Sequence, residues 1–377
     1  VGDGAILVRT FIALILSRYT HILNVAMSLT ETAYYTRRAI NWTIIGVIGY
    51  IILRAFWGVA VLTYLQIFPP KAPPANHAFG KLPAIRFPVP PASPSGQLIY
   101  QLETIEGSVP QASASANVYF MPKTGSNLLA LSKAQNFAKR LGFATTPTPE
   151  PSNKNVYRFD DPTSQLRHLW YDIVSTNFIM RYSYEQDAGL FLERTIPTTS
   201  QAVQETKNLL QTYGLFPSDF VGGQVKVSYL KIAENKLTTV GSQTQADVAR
   251  VDFFRPNIAS TPVISSVVGE APISVTLSGS KNSKKRVLQF VYTYWPIDYL
   301  TSATYSLKPS SYAWQELQNG GGYIVRYPKG AVATVRNVYL AYYDSFEPQT
   351  YLQPIFVFEG DDGFLAYVPA VNPEWVE

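Results

Sequence analysis

Residues that could perform catalysis or bind a metal are scarce in this chain. The three histidines lie far apart in the sequence: His21, His77 and His168. None lies at metal-ligand or catalytic-triad spacing from another, and cysteine is absent. Two acidic stretches, Asp160-Asp161 and residues 359–363, lack the alternating oxygen ligands of a calcium loop and are typical of turns. We therefore predict no catalytic residue, no metal site and no cofactor, and a protein that is not an enzyme.

The longest apolar stretch, residues 41–68, determines how the rest of the chain is interpreted. It ends at Pro69-Pro70 and exceeds the ~20 residues that a helix needs to cross a bilayer. Its aliphatic and aromatic residues each favour insertion by about 0.3–0.6 kcal/mol. Arg54, near the centre, opposes insertion by about 2.5–3.5 kcal/mol. The summed insertion free energy of the apolar residues outweighs the cost of Arg54, so we predict a single transmembrane helix in contact with the lipid bilayer.

A charge at the middle of a membrane is costly, so the presence of Arg54 needs an explanation, and two are open. Tyr50 and Gly58 lie four residues before and after it, so the three residues share one face of the helix. That face is a candidate docking surface for a membrane protein whose own helix carries Asp or Glu. Alternatively, Arg54 bends towards the headgroups through local water, without a partner.

The charges on either side of the stretch bear on its orientation. Arg37 and Arg38 precede it, and Lys71 and Lys81 follow it. The arginine pair is compact, and only 15% of the chain is charged, against about 25% in an average protein. A polar but uncharged surface is common outside the cytoplasmic membrane. We predict an N-terminus inside and a large extracytoplasmic domain in a bacterial cell envelope. The net charge of +5 is too small to indicate nucleic acid as a partner.

The predicted organisation has five parts: a cytoplasmic tail (1–40), the transmembrane helix (41–68), a proline-rich linker (69–96), two helix–strand units (97–257), and a basic β-hairpin with a last unit (258–377). Native translation is expected to begin at Met27, which would leave residues 1–26 outside the native protein. The linker is predicted to act as a semi-rigid spacer, with His77 in solvent.

Beyond the linker, one pattern recurs in which an amphipathic helix closed by glycine precedes antiparallel strands. The three copies are KAQNFAKRLGF (133–143), ETKNLLQTYGLF (205–216) and AWQELQNGGGY (313–323). Helices on one face of antiparallel sheets indicate an α+β fold built from repeated units. The first helix is predicted over 126–141 with Leu128 on its buried face. Residues 169–184 are predicted to form one long strand.

A basic cluster occupies the tip of the hairpin predicted over residues 273–295. Its members are Lys281, Lys284, Lys285 and Arg286. One interpretation is a contact surface for an anionic cell-wall polymer or an acidic partner. The other is an exposed turn whose lysines only favour contact with solvent.

The last unit resembles a known family through four segments in a fixed order: SSYAWQELQNGGG (310–322), VRNVYLAYYDSF (335–346), YLQPIFVFEG (351–360) and FLAYVPAV (364–371). This order is similar to that of the C-terminal domain of the YycH/YycI-type membrane-anchored regulators and, more distantly, of PepSY-type domains. The resemblance implies a non-enzymatic protein that controls a partner such as a sensor kinase. It also implies structural roles for five residues: Tyr342, Tyr343, Pro354, Tyr367 and Ala370.

Two functions follow from the sequence. The first is a membrane-anchored regulator or scaffold that acts on another membrane protein through its helix and ectodomain. The second is an adhesin-like module that binds a cell-envelope polymer through the basic hairpin and exposed aromatic residues.

Overall fold

The computed structural model describes residues 29–67, 74–89, 96, 98–123, 125, 127–187, 189–192, 195–233, 236–267 and 269–377. Two compact units make up the chain, Val1–Lys71 and Ala72–Glu377. The expectation for residues 1–26 lies outside the described residues.

The first unit contains one long helix, α1, which spans Leu29–Ile67. It begins earlier than predicted, inside the expected cytoplasmic tail. Its stretch Tyr34–Val61 has the length and apolar composition needed to cross a membrane, and none of it is buried within the chain. The Thr43 and Thr63 hydroxyls donate hydrogen bonds to backbone carbonyls four residues earlier. Both hydroxyl donors are therefore paired within the helix and need no water.

The second unit has an α+β architecture. Its helices are α2 (Ala130–Arg140), α3 (Thr199–Tyr213), α4 (Ser283–Arg286) and α5 (Ser310–Gln318). Its strands are β1 (Ile99–Leu102), β2 (Ser115–Phe120), β3 (Thr148–Glu150), β4 (Asn153–Asp161), β5 (Ser164–Asp172), β6 (Phe178–Tyr182), β7 (Val225–Ala233), β8 (Lys236–Thr239), β9 (Val248–Phe253), β10 (Val263–Ser265), β11 (Ile273–Ser278), β12 (Val287–Tyr292), β13 (Asp298–Ser306), β14 (Tyr323–Arg326), β15 (Val332–Asp344), β16 (Tyr351–Leu352), β17 (Pro354–Gly360) and β18 (Leu365–Pro369).

Three sheets hold these strands. The largest has nine strands in the order β3-β4-β5-β6-β12-β11-β9-β7-β8, all antiparallel. A six-stranded sheet has the order β1-β15-β17-β18-β14, and β10 also pairs with β15. In it β1 and β10 lie parallel to β15, while the other pairs are antiparallel. The smallest sheet has the order β13-β2-β16.

Helices α2 and α3 pack on one face of the nine-stranded sheet. Ala134 and Ala138 of α2 and Leu210 of α3 are fully buried there against Phe and Val side chains of the strands. Thr198 caps α3, with Gln201 in a capping box, and Gly214 ends it in the left-handed conformation. Leu128, predicted on the buried face of the first helix, is fully exposed because α2 begins only at Ala130.

Helix α5 packs against the six-stranded sheet. Ala313 and Leu317 of this helix are buried beside Phe356 and Phe358 of β17. All five residues to which the family resemblance assigns structural roles are buried: Tyr342, Tyr343, Pro354, Tyr367 and Ala370.

The long strand predicted over residues 169–184 is two strands. Asp172 ends β5, and its Oδ1 accepts hydrogen bonds from the backbone N–H groups of Val174 and Ser175. Thr176 then adopts a positive φ of 64°, which turns the chain into β6. Residues 169–184 are rich in β-branched and aromatic residues, which favour a strand throughout, so the Asx turn at Asp172 is not apparent from composition.

The proline-rich stretch differs from the predicted spacer where the structure describes it. Leu82 is fully buried and forms a parallel β-bridge with Val376. The His77 ring stacks on Trp375, with ring centroids 3.7 Å apart. The prediction that His77 lies in solvent is therefore wrong. Phe87 stacks on Tyr323 at 5.1 Å. Residues 74–89 therefore belong to the second unit, because their apolar side chains fill gaps on its surface.

Candidate functional site

The predicted docking face on α1 consists of Tyr50, Arg54 and Gly58, which recur every four residues along one side of the helix. All three are exposed. A Cβ added to Gly58, or to Gly46, which lies four residues before Tyr50, would meet nothing within 4 Å. The described residues offer Arg54 no ion pair. Nothing in the described chain therefore explains the composition of this face.

The basic cluster lies at α4, a single helical turn that Asn282 caps. Lys285 Nζ lies 2.7 Å from Asp187 Oδ2. Arg286 forms a bidentate pair with Glu205, with both N···O distances at 2.7 Å. Lys281 also has a partner within the chain. Lys285 and Arg286 are thus paired with carboxylates of the same molecule.

Lys284 belongs to a small network around Asp161, whose side chain is fully buried. Asp161 accepts hydrogen bonds from Thr163, from Arg167 Nη1 at 2.8 Å and from Lys284 Nζ at 3.1 Å. Burial alone would raise the pKa of Asp161, but these hydrogen bonds lower it to about 2. The carboxylate therefore stays ionised and holds the α4 turn against the β4–β5 hairpin.

A second buried network centres on Arg255, whose side chain is 1% exposed. Its Nε donates to Asp344 Oδ2 over 2.7 Å, and its Nη1 donates to Asp219. The guanidinium also lies over the rings of Phe220 and Tyr294, 4.8 and 5.3 Å from their centroids.

Ionisation in this network follows from burial and from the opposite charges. Burial favours a lower pKa for Arg255, but Asp344 and Asp219 raise it above its ordinary value. Burial also raises the pKa of Asp344, although Arg255 opposes the rise. The sequence does not reveal this network, because its members lie far apart in the chain and Arg255-Pro256 resembles the end of a strand.

His168 and the two acidic stretches singled out in the sequence pair with other side chains of the chain, whereas His21 lies outside the described residues. His168 Nδ1 lies 2.6 Å from Asp160 Oδ1, and Arg158 contacts the same carboxylate. In the 359–363 stretch, Glu359 accepts from the Tyr339 hydroxyl at 2.6 Å and Asp361 accepts from Arg336. Burial and the Glu359 hydrogen bond raise the pKa of Tyr339. Over the described residues, no group of three or more His, Cys, Asp or Glu side chains could hold a metal ion.

Among the open clefts on the second unit, two are lined by aromatic side chains together with polar ones. One, of about 620 Å³, lies between the β9–β10 connection and the tyrosine-rich face of the six-stranded sheet; Tyr339, Glu359 and Tyr367 line it. The other, of about 520 Å³, lies beside the β5–β6 turn and is lined by Trp170, Trp295 and several amide side chains. Both volumes are in the range of small-ligand sites.

No protein-family model matches the chain, and no curated protein matches it. Among solved structures, the chain is similar to an uncharacterized protein from Eubacterium rectale ATCC 33656, whose crystal structure was determined at 1.45 Å resolution. The identity is 12%, the alignment covers 69% of this chain and 86% of that one, and the TM-score is 0.38.

Proposed function

We propose that the chain is a single-pass protein of a bacterial cytoplasmic membrane that regulates or scaffolds a second membrane protein without catalysis. Helix α1 anchors it, and the α+β unit lies outside the membrane. The partner's helix packs on the face formed by Tyr50, Arg54 and Gly58 and presents an Asp or Glu to the arginine.

The observation that carries the proposal is the exposure of the apolar part of α1. In a soluble domain an apolar helix of this length is buried, because exposing it to water is unfavourable. The 28 residues of Tyr34–Val61 are instead wholly unburied within the chain. A lipid bilayer supplies the apolar surroundings that such a helix needs.

The glycines of α1 support a second helix as the partner. Glycine in a helix costs about 1 kcal/mol relative to alanine. Gly46 and Gly58 occupy the face of Arg54 although no neighbouring atom requires their small size. In membrane helices, small residues allow close approach of a second backbone. An acidic residue on that helix would also neutralise Arg54, whose isolated insertion costs about 2.5–3.5 kcal/mol.

Orientation is tested by cysteine labelling, since residues 1–377 contain no cysteine. Lys329→Cys places a thiol at a side chain that is 85% exposed in the second unit. Tyr35→Cys places one at the start of the apolar stretch, at a side chain that is 54% exposed. We expect a membrane-impermeant maleimide to label position 329 in intact cells and position 35 only after permeabilisation. Equal labelling at both positions in intact cells, or release of the full chain by alkaline carbonate, contradicts the proposal.

A further inference from the structure

The cleft beside the β5–β6 turn combines aromatic walls with amide side chains. Trp170 lies on β5 between Leu169 and Tyr171, which both point into the core, so its indole is on the opposite side of the sheet. Trp295 also lines the cleft, half-buried, and its Nε1 donates to the carbonyl of Phe346 over 3.2 Å. That hydrogen bond fixes the orientation of the ring. Ile179, 44% exposed, extends the apolar wall beside Trp170.

Three asparagines supply hydrogen-bonding groups at the same cleft. Asn153 Oδ1 accepts from the backbone N–H of Asn155 at 3.0 Å, and Asn177 Oδ1 accepts from that of Tyr294 at 2.8 Å. Because each Oδ1 faces a backbone donor, the Nδ2 groups of Asn153 and Asn177 are directed elsewhere. Within the described chain no hydrogen bond uses these Nδ2 groups or the side chain of Asn155.

The charges around the cleft do not favour an anionic ligand. Among the described residues of the lining, one is basic, Lys123, and two are acidic, Asp172 and Glu347. Asp172 Oδ1 is already occupied by two backbone N–H groups of the β5–β6 turn. One lysine and two carboxylates leave no excess of positive charge for an anion. The indoles and the asparagines are uncharged, so the lining suits a neutral ligand that has an apolar face and several hydroxyl or amide groups.

A pyranose ring has these properties. Its C–H groups form an apolar face that packs on an indole, and its hydroxyls both donate and accept, as carboxamides do. We propose that this cleft binds a neutral saccharide, either a hexose or an N-acetylhexosamine unit of a longer glycan. The assignment goes beyond the proposed anchoring function. It differs from the anionic-polymer interpretation of the α4 cluster, because it uses other residues and a neutral ligand.

Binding is tested on the full chain in phosphatidylcholine nanodiscs, which avoid detergents with sugar headgroups. The probes are linear β-1,4-linked tetramers of N-acetylglucosamine and of glucose. Their binding is measured by calorimetry and by tryptophan fluorescence. We expect one of them to bind and to change the emission, with little dependence on salt up to about 0.5 M, since a neutral ligand releases few ions. If neither binds up to about 10 mM, the weak end of specific recognition, the proposal is overturned.

Two sets of variants assign the site. Asn153→Ala with Asn155→Ala changes exposed side chains and removes two hydrogen-bonding groups, so we expect affinity to fall about ten-fold or more. Trp170→Leu should reduce it further and remove most of the fluorescence response. Asn257→Ala, at the other cleft, is the matched control and should bind normally. Normal binding by the double asparagine variant, with circular dichroism unchanged, would place the saccharide elsewhere and overturn the assignment.

Discussion

Arg255 Nε and Asp344 Oδ2 lie 2.7 Å apart, and their side chains are 1% and 4% exposed. The pair joins the end of β9 to the end of β15, and so links the nine-stranded sheet to the six-stranded sheet. The polar residues singled out in the sequence, His168, Asp161 and Asp361, are likewise paired within the second unit. Arg54 of α1, in contrast, has no ion pair among the described residues.

Arg255→Met should destabilise the second unit strongly. Removing one partner of a buried ion pair costs about 3–5 kcal/mol, because the remaining carboxylates are then buried without compensation. Urea unfolding measures this difference. Lys329→Met, whose side chain is 85% exposed, is the control and should change the free energy of unfolding by less than about 0.5 kcal/mol. Equal effects of the two substitutions would mean that the Arg255 network does not link the sheets.

Asp161→Asn should lower stability in a pH-dependent way. The pKa of Asp161 is about 2 in the folded chain, below its ordinary value of 3.8. Its ionised form therefore stabilises the fold above pH 4, and this contribution disappears as the pH falls from about 4 to about 2. We expect the variant to lose about 2 kcal/mol at pH 7 and little at pH 2. The measurement is urea unfolding at both pH values, with exposed Asp362→Asn as the control. A loss of equal size at both pH values would contradict the role assigned to the carboxylate.

Leu82→Ala tests whether the proline-rich stretch is part of the folded unit. Leu82 is fully buried, and its N–H and carbonyl pair with Trp375 and Glu377. Truncation should cost about 2–5 kcal/mol by lost burial and a cavity. Val89→Ala, in the same stretch but 92% exposed, should have almost no effect. The measurement is thermal unfolding. If the stretch were a free spacer, neither substitution would change the unfolding temperature.

The regular elements could be predicted from local sequence patterns. The 3.6-residue spacing of Ala134, Ala138 and Leu141 and the glycine stops at Gly142 and Gly214 located α2 and α3 to within a few residues. These signals are local, so a single sequence carries them.

Long-range pairing could not be predicted in this way. Lys284 and Asp161 are 123 positions apart, and Arg286 and Glu205 are 81 positions apart. Only the fold brings them together, so the basic hairpin looked like a free surface. The proline-rich stretch had the composition of a spacer, and only the hydrophobic gaps beside Trp375 and Tyr323 explain why it packs on the second unit.

The central claim is that α1 binds a second membrane helix through the Arg54 face. A photoreactive phenylalanine analogue in place of Tyr50, in the full chain in its native membrane, tests it most directly. We predict an adduct with one membrane protein, which is lost with Arg54→Leu, retained with Arg54→Lys, and absent when the analogue replaces Ile52 on the opposite side of α1. Adducts that are the same from positions 50 and 52, or that survive Arg54→Leu, would contradict the claim.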